Sequence, residues 1–201
     1  MNWEDLPIND IRRILRIESD PQKAFQQIVE SGEQKLPSNI WSEFKKMNIG
    51  RDIQEAKNWL TKNIKEFPNF SGIYLGLDTL NMDEGTGVNI EIGLSSDCNP
   101  DIFTDEWAFE CDFYGEGHLI KGLYEVADCF ENEGKWTDDE RAFSEYLIFL
   151  GYSGIILREA LRNLTTENDF LSIWGFHDGD MFFLVQKKGE LESVVTEIEL
   201  S

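Results

Sequence analysis

Apolar residues in the first third of the chain recur at helical spacing. Ile11, Ile14 and Leu15, then Ala24, Phe25, Ile28 and Val29, then Ile40, Trp41 and Phe44 each follow an i, i+3, i+4 step that puts them on one face of a helix. Asp20 before Pro21 reads as an N-cap with proline at the first helical position, and Ser38 after Pro37 opens the third helix. The longest stripe runs from about Arg51 to Phe67. Ile53, Ala56, Trp59, Leu60, Ile64 and Phe67 line it, Lys57, Lys62 and Lys65 lie off it, and Pro68 stops it. Aromatics at this spacing are core residues rather than a ligand box.

From Phe70 the period changes to two. Ile73, Leu75 and Leu77 alternate with Tyr74, Gly76 and Asp78, a turn follows over 82–87, and Val88, Ile90, Ile92 and Leu94 alternate with Asn89, Glu91 and Gly93. This predicts a β-hairpin with one wet face. Trp107, Phe109, Cys111 and Phe113 alternate with Ala108, Glu110 and Asp112, which predicts a third strand with Trp107 inward and Glu91, Glu110 and Asp112 outward. Helices are expected over about His118–Phe130 and from Thr137, whose T-x-x-E box with Glu140 satisfies amides at the helix start. Gly151-Tyr152-Ser153-Gly154 reads as a break, with a separate helix over Ile155–Leu164. Leu171, Ile173 and Trp174 then lead into a D-G turn at His177-Asp178-Gly179-Asp180, Met181–Val185 returns, and Val194–Leu200 is expected as an edge strand.

Grouped helices followed by strands, helices and strands predict an α+β fold: a helical N-terminal third, then a mostly antiparallel sheet of about five or six strands with packed helices. Residues 1–201 are expected to form one domain, with a helical subregion at 1–68 and an acidic α+β region at 70–201. At 201 residues and 41% apolar, the chain can fill a real core.

Charge changes the picture. Acidic residues outnumber basic ones 39 to 18, a formal charge of -21. Residues 1–70 are balanced, with 11 of each sign, whereas 71–201 carry 28 acidic against 7 basic and therefore the whole excess, 7 minus 28 being -21. From Asp78 to Glu140, 18 carboxylates meet only Lys121 and Lys135. A solvated face for solubility explains part of this. Its concentration in one stretch favours a surface shaped for a cationic partner, and it disfavours nucleic acid, whose phosphates such a surface repels. The absence of a membrane-length apolar run and of a secretory layout at MNWEDLPIND predicts a cytoplasmic protein. Cys98, Cys111 and Cys129 are odd in number and lack C-x-x-C spacing, so they read as reduced core thiols.

Candidate chemistry is sparse. Asp97-Cys98-Asn99-Pro100-Asp101-Ile102-Phe103-Thr104-Asp105 places oxygen ligands like an EF-hand loop, but Ile102 stands where the sharp-turn glycine belongs and Ala108 where the bidentate Glu belongs. His177 with Asp178 and Asp180 offers metal-ligand chemistry that a D-G turn explains equally well. Glu91 with Glu110 across strands would be an acid/base pair only if one were desolvated. Ser153 is not in a nucleophile elbow, and Gly85-Thr86-Gly87 lacks the G-K-[ST] of a phosphate loop. No catalytic residue, metal site or cofactor is therefore assigned. The partner-binding candidates are Asp83, Glu84, Asp97, Asp101, Asp105, Glu106, Tyr114 and Trp136.

FSGIYLGLDTL, GVNIEIGLSSDCNPDIF, DEWAFECDFYGEG and HLIKGLYEVADCF, in that order over about residues 70–130, resemble the immunity proteins encoded beside bacterial polymorphic toxins. The resemblance lies in a pattern of strands and aromatics. It implies an inhibitor that binds one cognate toxin domain, commonly a nuclease, in the cytoplasm of the producing cell. A nuclease that grips phosphates is basic, and an acidic face both speeds the encounter and fills the same site. The expected partner is thus a basic toxin domain, with no nucleic acid and no membrane. A metal-dependent hydrolase using Asp97–Asp105 or the His177 turn, an acidic adaptor and a nucleic-acid mimic are the alternatives.

Overall fold

The computed structural model describes residues 8–82, 85–124, 137–177 and 181–195. Asp83, Glu84, Cys129, Trp136, the centre of the D-G turn at 178–180 and most of the expected last strand lie outside them.

The helical stripes form as their spacing predicts. Helix α1 (Ile8–Ile17) buries Ile11, Ile14 and Leu15, and α2 (Pro21–Lys35) buries Ala24, Phe25, Ile28 and Val29. The carboxylate of Asp20 accepts the Lys23 N–H at 3.0 Å, so the cap satisfies one of the orphan amides of the first turn. Helix α3 (Ile40–Phe44) is one short turn, with the Ser38 hydroxyl accepting the Ile40 N–H. Helix α4 (Ile49–Glu66) sinks Ala56, Trp59, Leu60 and Ile64.

Strand β1 (Gly72–Met82) pairs antiparallel with β2 (Gly85–Ser95) along its full length, as the period-two alternation predicts. The expected third strand over 107–113 does not form. A 3-10 turn occupies Glu106–Ala108, and pairing with β2 is confined to β3 (Phe113–Tyr114) and β4 (His118–Leu119). The alternation there comes from a folded strap that buries Ala108 and half-buries Trp107 and Cys111 but leaves Phe109 76% exposed. The expected helix at 118–130 likewise begins with β4, and helix is seen from residue 121.

Helix α5 (Asp138–Arg162) corrects a second expectation, because it runs unbroken through Gly151-Tyr152-Ser153-Gly154. Its start carries the predicted capping box, with Thr137 and Glu140 bonding each other's backbone amides. The glycines are contact points rather than breaks. A Cβ at Gly151 would lie 2.7 Å from Ile28 of α2, and one at Gly154 would lie 2.9 Å from the Trp174 ring and 3.0 Å from Leu15 of α1. Both let α5 approach its neighbours closely, and the helix is buried on nearly every side. Arg158 is buried too, and its Nη1 donates to the carbonyls of Leu15 at 2.5 Å and Glu18 at 2.7 Å, which satisfies acceptors at the end of α1.

Strands β5 (Phe170–Phe176), β6 (Met181–Lys188) and β7 (Leu191–Val194) complete the sheet in the order β3-β2-β1-β5-β6-β7, with β4 also on β2. Among the described residues only β1 and β5 run parallel; the other pairs are antiparallel. The edge strand β7 starts three residues earlier than the alternation predicts. The fold is α+β, with the N-terminal helices preceding a mostly antiparallel sheet. One apolar core runs from Ile11 to Val185 between the helices and the inner sheet face, and among the described residues no helix is long and apolar enough to cross a membrane.

Candidate functional site

The outer face of the sheet, away from the helices, carries Tyr74 and Gly76 of β1 and Glu91 and Gly93 of β2. It is only partly wet. The chain between Ser95 and Asp112 folds back across it as a strap, and a second apolar cluster of Tyr74, Cys98, Ala108, Leu171, Ile173 and Phe183 forms beneath, with Phe103, Trp107 and Cys111 packed against it.

The strap is pinned along its length. At its base the Asp112 carboxylate accepts from the Ser96 N–H at 2.7 Å and the Ser96 hydroxyl at 2.8 Å, bonds that hold this carboxyl below its ordinary pKa. The Ser71 hydroxyl donates to the Cys98 carbonyl at 2.6 Å, and Gln186 Nε2 donates to the Pro100 carbonyl at 2.6 Å. Phe103 meets Phe183 edge to face at 5.2 Å. Trp107 lies on the bare backbone of Gly72, and its indole N–H donates to the Thr104 carbonyl at 2.7 Å. Past the 3-10 turn, the Cys111 N–H donates to the Tyr114 hydroxyl at 3.3 Å, joining the strap to β3.

This arrangement brings Asp97, Asp101, Asp105, Glu106 and Tyr114 onto one continuous feature of the surface. Asp97, Asp101, Glu106 and Tyr114 are exposed and Asp105 is half-buried. No Lys or Arg occurs between Lys65 and Lys121, so every cation near the strap comes from elsewhere in the fold. Lys188 of β6 pairs with Asp101, and Lys62 of α4 pairs with Glu116 at 2.6 Å. Among the described residues Asp97, Asp105, Glu106 and Glu110 have no such cation.

Sequence reasoning missed three members of this face. Phe109 read as a core residue of a strand, whereas it projects at the end of the 3-10 turn. Ile102 and Leu119 are 53% and 45% exposed. Four of the six large apolar side chains exposed among the described residues, Ile102, Phe109, Tyr114 and Leu119, fall within residues 102–119. The WAFECDFY alternation carries the same letters for a strap as for a strand. The one available signal was Pro100 and the polar run before it, which mark irregular backbone.

Within the described residues, which exclude Asp178 and Asp180, the catalytic alternatives do not assemble. Among the described residues no three His, Cys, Asp or Glu side chains are grouped to hold a metal ion. Asp101 turns to Lys188 rather than toward Asp97 and Asp105. Glu91 faces His177 rather than Glu110, its Oε2 standing 3.2 Å from Nδ1. The Tyr74 hydroxyl stands 2.9 Å from that same nitrogen, and burial pushes its pKa up to about 12. A hydroxyl, an imidazole and a carboxylate are thus together. Both partners address Nδ1, however, whereas a relay needs the hydroxyl on one ring nitrogen and the orienting carboxylate on the other. Among the described residues the two thiols stay protonated at neutral pH, since burial raises Cys98 to about 12 and Cys111 to about 11. No family model, curated protein or solved structure matches the chain.

Proposed function

We propose that this protein is a stoichiometric binding protein, an immunity protein that neutralises a basic, nuclease-type toxin domain through the acidic outer face. The observation that carries the reading is the strap: a loop fixed to the sheet by half-buried aromatics and side-chain bonds that presents Asp97, Glu106, Glu110 and the half-buried Asp105 without local cations. Self-repulsion among these groups works against folding, and a cationic partner turns the same field into faster encounter. A phosphate-gripping active site is such a partner, and carboxylates laid over it occupy the place of the nucleic-acid backbone.

The test begins by capturing the tagged protein from its own cells at low salt and identifying what elutes as salt is raised. The expected result is one basic protein in one-to-one amount, which arrests growth when produced alone and becomes harmless when produced with this chain. Combined Asp101→Lys, Asp105→Lys and Glu106→Lys should slow association by about tenfold or more at low salt without unfolding the protein. A captured protein that is harmless alone, or full neutralisation by the triple variant, would remove this reading. A stoichiometric metal recovered with the purified chain would move the weight to a hydrolase.

A further inference from the structure

We propose that Phe109 is the anchor of this face, a ring that enters an apolar pocket rimmed by Lys and Arg on the basic partner domain. The proposal rests on the binding-protein reading and adds to it a division of labour. The carboxylates govern how fast the partner arrives, and the aromatic ring governs how long it stays.

Three observations point to the ring. The strap has found full or partial burial for most of its other apolar residues: Trp107 on Gly72, Phe103 on Phe183, and Cys98 and Ala108 beneath, with Ile102 53% exposed. Phe109, in the same segment, is 76% exposed, so the fold gains almost nothing from having phenylalanine there. The ring is also held on ordered backbone, because the Phe109 N–H donates to the Glu106 carbonyl and the Ala108 N–H to the Asp105 carbonyl at 2.8 Å. The backbone beneath the ring then has little freedom left to lose on binding, which lowers the ordering cost of an aromatic contact there. Finally, Glu106 and Glu110 flank it. Tyr114 bonds Cys111, which is two residues from Phe109, a reach of at most about 7 Å along the chain, and a central aromatic with a polar rim is the layout of an interface hot spot.

The surrounding charge selects the occupant. A second copy of the chain would bring its own charge of -21 against this one, and anionic lipid or nucleic acid would be repelled in the same way. A cationic protein surface with an apolar pocket satisfies both the ring and its rim.

Two experiments test this. With p-benzoylphenylalanine in place of Phe109 in the full chain, illumination in its own cells should give one adduct, to a protein rich in Lys and Arg around the crosslinked peptide. An adduct between two copies of this chain, to lipid or to nucleic acid would overturn the choice of occupant. Kinetics against the basic protein released one-to-one by salt then separate the roles. Phe109→Ala should raise the dissociation rate about 30-fold or more with association within threefold, while Glu106→Lys with Glu110→Lys should do the reverse. Unchanged dissociation for Phe109→Ala beside slowed association for the charge variants would overturn the anchor and leave the binding reading standing. Failure of the unaltered protein to bind any basic protein would overturn both. Phe109→Leu, which keeps an apolar side chain, should lie between the parent and the alanine variant.

Discussion

On the inner face of the sheet, Leu75, Ile90, Ile92 and Trp174 meet helices and are buried completely, and glycines in α5 let the helix close on Ile28, Leu15 and the Trp174 ring. On the outer face a single strap supplies the cover, through Phe103 and Trp107 that are only half-buried, and it turns carboxylates and Phe109 to solvent. The inner face has two layers of regular structure to exclude water. The outer face has one layer of irregular chain, held as much by hydrogen bonds as by apolar contact. Packing of the first kind specifies the fold, and packing of the second kind positions a surface.

That contrast gives the largest expected effect. Trp174→Ala should destabilise the protein by about 3–5 kcal/mol, the range for removing a large buried aromatic, measured as a lower denaturant midpoint at unchanged slope. Trp174→Phe should cost much less, about 1 kcal/mol. Among the described residues the buried indole N–H has no hydrogen-bond partner, so the smaller ring relieves a desolvated donor while it loses contact. A phenylalanine variant as unstable as the alanine one would show that packing against Gly154 and Leu15, not the polar atom, decides the site.

Next in size is Asp52, a carboxylate 1% exposed at the junction of α4, α5 and the chain near residue 122. Its Oδ2 accepts the Tyr152 hydroxyl and the Gly122 N–H, each at 2.9 Å, and its Oδ1 accepts Arg51 Nε at 2.8 Å. Asp52→Ala leaves a buried hydroxyl and a buried amide without an acceptor and should cost about 2–4 kcal/mol. Asp52→Asn retains an acceptor and should cost less. Equal losses would place the dependence on the charge facing Arg51.

How much of this was legible varies with the periodicity that carries it. The helix stripes and the β1–β2 hairpin were readable because each packs on one face, so apolar spacing and structure coincide. Asp20-Pro21 and the Thr137–Glu140 box were readable because capping is local chemistry. Helix α5 was not, since a helix buried on nearly every side loses its amphipathic period and its contact glycines look like breakers. The strap was not, because Trp107, Phe109 and Cys111 alternate as a strand would while their fates differ. The carboxylates of the candidate face could be read from charge alone. Phe109 could not, because its exposure depends on the 3-10 turn at Glu106–Ala108, which no local signal distinguishes from a strand start.

The strap also allows a sharper comparison within three residues of chain. Trp107→Ala removes the ring that lies on Gly72 and should cost about 1–3 kcal/mol, part of the full value for a buried tryptophan. Phe109→Ala should change stability by no more than about 0.5 kcal/mol, as exposed substitutions do. Thermal unfolding of the two variants side by side measures this difference. A Phe109→Ala loss as large as that of Trp107→Ala would make the ring part of the fold rather than of the surface it presents.

The smallest effect concerns the seam between the faces, where β4 reaches α4. His118 stacks on Trp59 with centroids 5.2 Å apart, and Trp59 Nε1 donates to the Glu116 carbonyl at 2.7 Å. Burial holds the imidazole below its ordinary pKa of 6.5, against the opposing pull of Glu55 and Asp52. A group whose pKa is lowered by folding binds its proton more readily when unfolded. The stability it contributes is therefore complete above about pH 6.5 and is lost as pH falls from there toward the folded value. Acidification also relieves the repulsion of a -21 chain, which acts in the opposite direction, so the variant rather than the parent supplies the baseline. Urea unfolding at about pH 7.5 and about pH 5.5 should show the parent losing more stability, or gaining less, than His118→Gln over the same interval. An imidazolium over the indole face would recover up to about 1 kcal/mol by cation–π attraction, which keeps the difference small. Identical pH responses in parent and variant would mean that the ring is hydrated as fully as in the unfolded chain.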